Sequence, residues 1–224
     1  MPQAIVLIGN SITAEVLFSY LHSDPRYTVV ATAVDDGYVE NGSFTRVPCV
    51  GFSRLCEDFP PTTHQVMMAA GYGNLNRTRE MLFDRIKTLG YTLVSYIHPQ
   101  AKVYNDFLIG EGSVILPNAV VEPNSSVGKN SVIWCNTTIA HHSVVGDHCW
   151  IAAGAVVSGQ ATIGSNCFVG VNATIVNDVE VGEHSIIGAA TLVSKCVKPN
   201  SVLLARSGEP FRYSAEEYVK YFGV

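Results

Sequence analysis

The stretch IAHHSVVGDHCWIAAGAVVSGQATIG, residues 139–164, repeats one pattern every six residues. Each unit begins with isoleucine or valine, and a small residue stands four positions later. The same interval runs from Ile109 to Val193 without a gap, which gives fifteen consecutive isoleucine or valine residues. Because a helix repeats about every 3.6 residues and a strand every two, neither element by itself produces this period. The sequence therefore predicts a solenoid built from short repeated units.

In this solenoid each unit is predicted to form one short strand and one corner. The β-branched residue points into the bore, and the small residue fills the space beside it. Three units close a triangular coil, so equivalent positions stack every eighteen residues and fifteen units make five coils. Generic rules for parallel connections favour a right-handed coil, so the period alone does not give the hand.

The first 98 residues have a different pattern. Apolar runs at 4–9, 27–36 and 64–73 predict buried strands, and helical spacing follows the first and the third of them. With a further strand predicted at 91–99, these elements indicate a small parallel α/β sheet.

The turn after the first strand carries Gly9 but lacks the second and third glycines of a GxGxxG fingerprint. A pyrophosphate cannot approach that backbone as closely, so we expect a nucleotide or nucleotide sugar near the strand ends and not a complete dinucleotide site. An α/β domain that binds no ligand is the alternative.

Composition excludes several classes of partner. The chain is 47% hydrophobic and 15% charged, which is typical of a well-buried globular protein, and its net charge of -5 offers no basic field for nucleic acid. No signal peptide and no apolar run of roughly 20 residues is present, so we expect a cytoplasmic protein with no membrane segment. The six cysteines contain no CxxC pair and are expected to be reduced core thiols.

Three histidines within eight residues raise the alternatives of metal ligand, general base and surface turn. The repeat separates them, because His141 lies two places after its β-branched residue, whereas His142, His148 and His184 lie three places after theirs. His148 and His184 share one column, together with two asparagines, and His142 lies on a different face. One hypothesis is a zinc site like that of the γ-class carbonic anhydrases. The spacing brings at most two of these imidazoles together, so no metal is expected.

The repeat resembles that of the hexapeptide-repeat acyltransferases, [LIV]-[GAED]-x-x-[STAV]-x. Together with the strand end TAVDD, the segment AAGYGNLNRTRE and the junction YIHPQA, the whole chain resembles the bacterial sialic-acid O-acetyltransferase and bacillosamine-pathway N-acetyltransferase family. The resemblance implies a Rossmann-like α/β domain at 1–98, a left-handed parallel β-helix at 99–204 and a C-terminal tail at 205–224. It also implies a homotrimer with active sites between neighbouring β-helices.

The same resemblance implies the reaction and its base. In that family the catalytic histidine lies in a hexad that TIAHHSVVGD matches at His141, and Gly159 is the matching oxyanion donor one coil later. A neutral His141 would take a proton as the acceptor attacks the thioester of acetyl-CoA directly. The family commonly has an acidic residue next, where this chain has His142. Either another side chain fixes the tautomer of His141, or His142 contacts the sugar, and two solvated corner residues are the alternative. Asn136 is a further supporting candidate.

Binding residues follow from the resemblance as well. Asp35 and Asp36 match positions that bind uridine and ribose, although an Asp-Asp-Gly turn is also common after a strand. Weaker candidates for the nucleotide and its phosphates are Asn10, Ser11, Asn74 and Arg77. Coenzyme contacts are expected from Gly159, Asn177, Gly208 and Pro210.

The segment SAEEYVKYF predicts a short amphipathic helix that covers the last coil. The leading functional hypothesis is an acetyl-CoA-dependent N-acetyltransferase acting on a nucleotide-linked amino sugar. O-acetylation of a sialic-acid-like sugar and a catalytically silent scaffold are the alternatives.

Overall fold

The chain folds into an N-terminal α/β domain, a left-handed parallel β-helix and a C-terminal helix, which confirms the predicted fold class. The computed structural model describes residues 2–39, 46–104 and 108–223, and the backbone of 43–44.

The α/β domain is built on a five-stranded sheet that is parallel apart from its first edge strand. Its elements are β1 Gln3–Ile8, α1 Ile12–His22, β2 Tyr27–Val34, a 3-10 helix Asp36–Tyr38, β3 Ser43–Phe44, β4 Val47–Gly51, α2 Phe52–Asp58, β5 Gln65–Met68 and α3 Arg77–Thr88. The strand order is β3-β4-β2-β1-β5.

The three predicted strands and two predicted helices of this domain are confirmed, but β4 and α2 were not predicted. The strand predicted at 91–99 does not join the α/β sheet, where Leu93 makes only a single bridge to Val66. Instead Tyr96 and Ile97 pair with Val114 and Ile115, eighteen residues later. This segment is therefore the first strand of the β-helix. The prediction assigned it to the α/β sheet because it follows the strand and helix patterns of that domain.

The β-helix consists of two-residue strands, which begin at intervals of six residues between Val114 and Leu192. They are β6 Tyr96–Ile97, β7 Lys102–Val103, β8 Val114–Ile115, β9 Val120–Val121, β10 Ser126–Val127, β11 Val132–Ile133, β12 Thr138–Ile139, β13 Val144–Val145, β14 Trp150–Ile151, β15 Val156–Val157, β16 Thr162–Ile163, β17 Phe168–Val169, β18 Thr174–Ile175, β19 Glu180–Val181, β20 Ile186–Ile187, β21 Leu192–Val193 and β22 Val202–Leu203.

These strands form the three faces of a triangular prism. We call the face of β6, β8, β11, β14, β17, β20 and β22 the cap face, that of β7, β9, β12, β15, β18 and β21 the second face, and that of β10, β13, β16 and β19 the third face. Apart from β20 and β22, which pair at a separation of sixteen residues, strand partners lie eighteen residues apart, as Ile139 shows by pairing with Val121 and Val157. All three of these side chains are fully buried in the bore, as the repeat predicts.

From Gly112 to Ala190, each corner of the prism contains one residue in the left-handed region of backbone space. Only glycine adopts this conformation freely, and asparagine, aspartate and histidine tolerate it better than other residues. Fourteen such residues follow one another at intervals of six, namely Gly112, Asn118, Asn124, Asn130, Asn136, His142, His148, Gly154, Gln160, Asn166, Asn172, Asp178, His184 and Ala190.

The α/β domain packs against the cap face. Leu7 and Leu17 share one buried cluster with Val132 and Trp150. Beside this cluster the fully buried Arg79 of α3 donates to the carbonyl of Ala70 and, at 3.1 Å each, to the carbonyl and side-chain oxygens of Asn130. Burial lowers the pKa of Arg79 to about 9. A polar anchor therefore joins α3 to one corner of the β-helix.

All six cysteines are free, but they are not all core thiols as predicted. Cys49, Cys149 and Cys167 are buried, whereas Cys56 and Cys196 are exposed. The two buried cysteines of the repeat occupy its small-residue position, and each donates its thiol to a backbone carbonyl of the next coil.

The predicted C-terminal helix forms as α4, Ala215–Phe222, and begins with a capping box between Ser214 and Glu217. Its predicted packing on the last coil is not found, because α4 has no buried residue and Val202 and Leu204 of that coil are exposed. Its aromatic side chains contact one another instead. Within the described ranges, no helix is long and apolar enough to cross a membrane.

The anchor at Arg79 predicts a large loss of stability on truncation. Arg79→Ala leaves three buried acceptors without donors, so we expect the free energy of unfolding to fall by about 3 kcal/mol or more. Arg77→Ala, an exposed arginine two residues earlier on the same helix, is expected to change it by less than about 0.5 kcal/mol. Urea denaturation of both variants measures the difference, and equal stabilities would contradict the anchor.

The buried His148 predicts a pH dependence of stability. Burial lowers the pKa of His148 below its ordinary value of 6.5. The folded state then binds fewer protons than the unfolded state, so stability falls as the pH drops through about 6.5, and the loss ends once the folded group is protonated. His148→Asn, the residue of the neighbouring coils in this column, is expected to flatten the profile of urea midpoints between about pH 7.5 and 5.5. His184→Asn is the control, and identical slopes for wild type and His148→Asn would contradict the prediction.

Candidate active site

Backbone conformation separates the histidines in the same way as the repeat. His142, His148 and His184 are corner residues with φ of 59°, 56° and 57°, whereas His141 lies before a corner. His148 and His184 stack in the predicted column between the third face and the cap face, while His142 lies on the edge between the second and third faces. No group of three or more histidine, cysteine, aspartate or glutamate side chains among the described residues could hold a metal ion. The hypothetical zinc ligands are therefore not assembled in this chain.

His141 is an exposed residue between β12 and β13, at the edge between the second and third faces. Its backbone N–H donates to Glu122 Oε2 at 2.8 Å, which fixes the start of the corner. The imidazole is thereby presented outward at an edge of the prism.

Gly159 lies directly beneath this imidazole, one coil further along. A Cβ atom at Gly159 would stand 2.6 Å from His141 Cε1 and 2.8 Å from Nε2, so only glycine lets the ring occupy its place. The N–H of Gly159 has no acceptor among the residues that the structure describes. A ring nitrogen and an unpaired backbone donor are therefore neighbours at this edge.

His142 contacts His141 through their Nδ1 atoms, which lie 3.3 Å apart. The other ring nitrogen of His142, Nε2, lies 3.3 Å from the amide of Asn124. In the described part of the chain, His141 Nε2 makes no hydrogen bond. Among the described residues, the contact with His142 therefore leaves Nε2 as the ring nitrogen of His141 that has no hydrogen-bond partner.

The predicted coenzyme residue Asn177 occupies the same edge column, two coils beyond His141, and is exposed. Asn136 is not brought to this edge, because it forms a corner between the cap face and the second face. Gly208 and Pro210 lie in the exposed segment between β22 and α4.

A cleft of about 360 Å³ opens where β1, β2 and β5 end. Ligands of parallel α/β sheets bind at such carboxyl ends of strands. Among the predicted residues, Asn10, Ser11 and Asp35 line this cleft, and Asn10 Nδ2 donates to the carbonyl of Tyr38 at 3.1 Å. The cleft has the position expected for a nucleotide.

The two adjacent aspartates of TAVDD have different environments. Asp35 lines the cleft and pairs with Arg85 of α3, whose guanidinium lies 4.4 Å from the ring centre of Phe52. Asp36 turns away and accepts from Ser53 Oγ at 2.6 Å, and this hydrogen bond lowers the pKa of Asp36. Asp36 therefore caps the start of α2 and does not line the cleft.

Asn74 and Arg77 are exposed residues that flank the cleft, whereas Gly73 and Thr78 line it. Sequence reasoning missed several residues at the cleft, among them Tyr38 and Phe52, and it missed Arg85, which pairs with Asp35. Tyr38 follows the aspartates closely enough to have been a candidate, but nothing in the helical spacing of α3 distinguishes Arg85 from other surface arginines.

The cleft and His141 lie on opposite sides of the prism. The α/β domain covers the cap face, and the edge with His141 joins the two other faces. With sides of six extended residues, the prism is on the order of 15 Å wide. A ligand in the cleft of one chain thus has the β-helix between itself and His141 of that chain.

Comparison with known proteins gives one family match and several similar structures. Residues 106–195 match the bacterial transferase hexapeptide (six repeats) family in overlapping segments, 106–141, 124–159, 142–177 and 160–195. Among curated protein sequences none matches the chain significantly.

Several solved structures are similar over most of the chain, and three of them serve as examples. The acetyltransferase domain of PglB from Neisseria gonorrhoeae FA1090 with acetyl coenzyme A has 23% identity over 94% of this chain and 100% of that one, with a TM-score of 0.82. A mutant perosamine N-acetyltransferase from Caulobacter crescentus with CoA and GDP-perosamine has 23% identity, coverage of 89% and 92%, and a TM-score of 0.78. WeeI from Acinetobacter baumannii AYE has 20% identity, coverage of 91% and 97%, and a TM-score of 0.78.

These findings confirm the resemblance drawn from the sequence. Residues 106–195 contain the hexapeptide repeats of bacterial transferases, and the chain as a whole has the fold of these acetyltransferase structures.

Proposed function

We propose that the chain is an acetyl-CoA-dependent N-acetyltransferase that acts on a nucleotide-linked amino sugar. The observation that carries this proposal is the pairing of His141 with Gly159. An exposed imidazole with a free Nε2 lies beside a backbone N–H with no acceptor among the described residues. Acyl transfer needs these two groups, a base for the attacking nucleophile and a donor for the oxyanion.

In the proposed reaction His141 Nε2 takes a proton from the sugar amine as its nitrogen attacks the thioester carbonyl. A C–N bond forms, and the carbonyl oxygen becomes an oxyanion that accepts a hydrogen bond from the N–H of Gly159. Collapse of this intermediate breaks the C–S bond. The imidazolium returns the proton to the departing thiolate, so coenzyme A leaves as the thiol and no acyl-enzyme forms.

The cleft of the α/β domain supports a nucleotide sugar as acceptor. Its position at the strand ends suits a nucleotide, with Asp35 and Arg85 offering an acceptor and donors at the rim. The similar perosamine N-acetyltransferase structure contains GDP-perosamine and CoA, and the PglB domain structure contains acetyl coenzyme A. In this proposal Asn74 and Arg77 contact the phosphates, and Asn177, Gly208 and Pro210 contact the coenzyme.

The separation of cleft and base supports a trimer in which each active site lies between two chains. Because the β-helix stands between the two within one chain, His141 would act on the sugar held by the α/β domain of a neighbouring chain. A homotrimer around an axis parallel to the prism places the edge of one β-helix beside the next chain.

A screen of nucleotide-linked sugars with acetyl-CoA tests the proposed function. We expect release of coenzyme A thiol with amino sugars and none with the matching hydroxyl sugars. His141→Asn is expected to lower kcat by about 10²- to 10⁴-fold while the Kd of the nucleotide sugar stays unchanged. His184→Asn is the matched control on another edge.

Each other outcome of this screen contradicts one part of the proposal. Thiol release only with hydroxyl acceptors of the sialic-acid type would replace N-acetylation by O-acetylation. Undiminished transfer by His141→Asn would overturn the base. Absence of transfer to every acceptor would favour the scaffold hypothesis.

Gly159 gives a second test of the site. In Gly159→Ala the new methyl group would occupy the place of the His141 ring, so we expect the imidazole to be displaced. A displacement of about 1 Å can cost on the order of 10²-fold in rate, and we expect a loss of that size in kcat. Circular dichroism and the Kd of the nucleotide sugar are the controls. A normal kcat would show that the ring does not act from this position.

A further inference from the structure

The last coil of the β-helix leaves an open cavity of about 370 Å³ at the end of the prism, which we call the end cavity. Val193, Val197 and Leu203 form its apolar floor, and all three belong to the bore or pack against it. Lys195 and Lys198 line the same cavity. Both are exposed, and neither makes an ion pair within the described ranges. The end cavity therefore combines an apolar floor with two positive charges.

Among the described residues, no further coil covers this cavity. β21 and β22 are the terminal strands of the second face and the cap face, so each has one edge that pairs with no strand of the described chain. Terminal units of repeat proteins usually need a capping element, because an open end exposes bore residues and unpaired strand edges. The end cavity is thus a surface on which another element is expected to pack.

The C-terminal helix α4 has an apolar stripe that suits such a cavity. Along one face of α4, at the spacing i, i+3, i+4 and i+7, lie Ala215, Tyr218, Val219 and Phe222. Tyr218, Val219 and Phe222 are 41%, 52% and 54% exposed, and α4 has no buried residue. Glu216 flanks the stripe and makes no ion pair in the part of the chain that the structure describes. This acidic side chain beside an apolar stripe is complementary to the lysines and the floor of the end cavity.

The eight-residue helix α4 needs such a surface for its stability. Isolated helices shorter than about 12–15 residues are only marginally stable in water, and most helical stability in proteins comes from the packing of an amphipathic face. The capping box of Ser214 and Glu217 and the contact between Tyr218 and Phe222 supply part of this stability. They leave the apolar stripe in water, so the packing that holds α4 helical must come from elsewhere.

The segment between β22 and α4 allows the helix to reach another chain. Residues 204–212 are exposed throughout and lead α4 away from its own β-helix. Ten residues, 204–213, separate β22 from Ser214 and span up to roughly 33 Å when extended. This reach exceeds the prism width of about 15 Å. α4 can therefore meet the last coil of a chain that lies beside its own.

We propose that α4 of one chain packs into the end cavity of a second copy in the trimer, with Glu216 beside Lys195 and Lys198. Each buried aromatic side chain contributes about 150–250 Å², so Tyr218 and Phe222 bury on the order of 400 Å². This is about half of the roughly 800 Å² per partner in a stable interface. The helix therefore joins chains that already lie side by side and does not hold two chains by itself. This inference rests on the trimer of the proposed function and deepens it.

Disulfide formation with the native Cys196 tests this docking without any acetyl transfer. Cys196 is exposed and lines the end cavity, and Cys56 is the other exposed cysteine, so Val219→Cys is made in a Cys56→Ser background. We expect mild oxidation to join Cys196 of one chain to the new thiol of the next, because a disulfide requires Cβ atoms within about 4.5 Å. Non-reducing gels are then expected to show bands of two and three chains.

Lys220→Cys on the opposite face of α4 is the matched control, and we expect its cross-linked bands to form about tenfold more slowly or not at all. Adding Cys196→Ser is expected to abolish the bands of Val219→Cys. A disulfide within one chain, or none, would overturn the inference. Light scattering separates the two failures: a trimer with disulfides inside single chains overturns only the docking of α4, whereas a monomer overturns the proposed trimer as well.

Charge reversal tests the contact between Glu216 and the two lysines. In the Val219→Cys protein at low salt, we expect Lys195→Glu together with Lys198→Glu to slow cross-linking between chains roughly three- to tenfold, because like charges then face each other. Adding Glu216→Lys is expected to restore most of the rate. An unchanged rate after reversal of the lysines, or no recovery with Glu216→Lys, would contradict the proposed contact.

Discussion

Every coil of the β-helix depends on a corner residue held in the left-handed region of the backbone. This conformation costs most residues on the order of 1 kcal/mol, and it recurs at fourteen consecutive corners from Gly112 to Ala190. Residues that tolerate it, chiefly asparagine, aspartate, histidine and glycine, also carry polar side chains or none. The requirement of the fold therefore lines each edge of the prism with amide and imidazole groups, and the stacking of coils arranges these groups in columns.

The candidate site uses two neighbouring columns of one edge. The residue before each corner gives His141, Gly159 and Asn177 in successive coils, and the corner itself gives Asn124, His142 and Gln160. One column supplies a base, the glycine that makes room for it and an exposed amide, while the other supplies His142, whose ring contacts the base, and Asn124, whose amide contacts His142. The eighteen-residue spacing that pairs the strands therefore also brings the residues of the candidate site together. The α/β domain contributes separately, because it packs on the opposite face.

The sequence predicted those structural features that follow the six-residue repeat and its eighteen-residue coils. The β-helix, its inward residues, the separation of the four histidines and the pairing of His141 with Gly159 all follow from counting in sixes and eighteens. The hydrogen bond of Asp36 with Ser53 was not predicted, because Ser53 lies in α2, an element too short to predict, and contact of Asp36 with a nucleotide stays a prediction. Arg79 and Arg85 were missed because their partners come from other elements, and helical spacing does not separate a buried arginine from exposed ones. The packing of α4 was wrong because an amphipathic pattern does not specify which surface the helix meets.

The central claim is that His141 of one chain acts on a sugar held in the cleft of another. Complementation between two inactive variants tests it most directly. His141→Asn removes the base, and Gly73→Trp fills the cleft at an exposed position whose added Cβ meets only Thr78. Each variant alone is expected to be inactive, while co-expression is expected to restore about a quarter of the wild-type acetylation rate, the share of sites that random mixing leaves intact. Mixed trimers that remain as inactive as either variant alone would contradict the account.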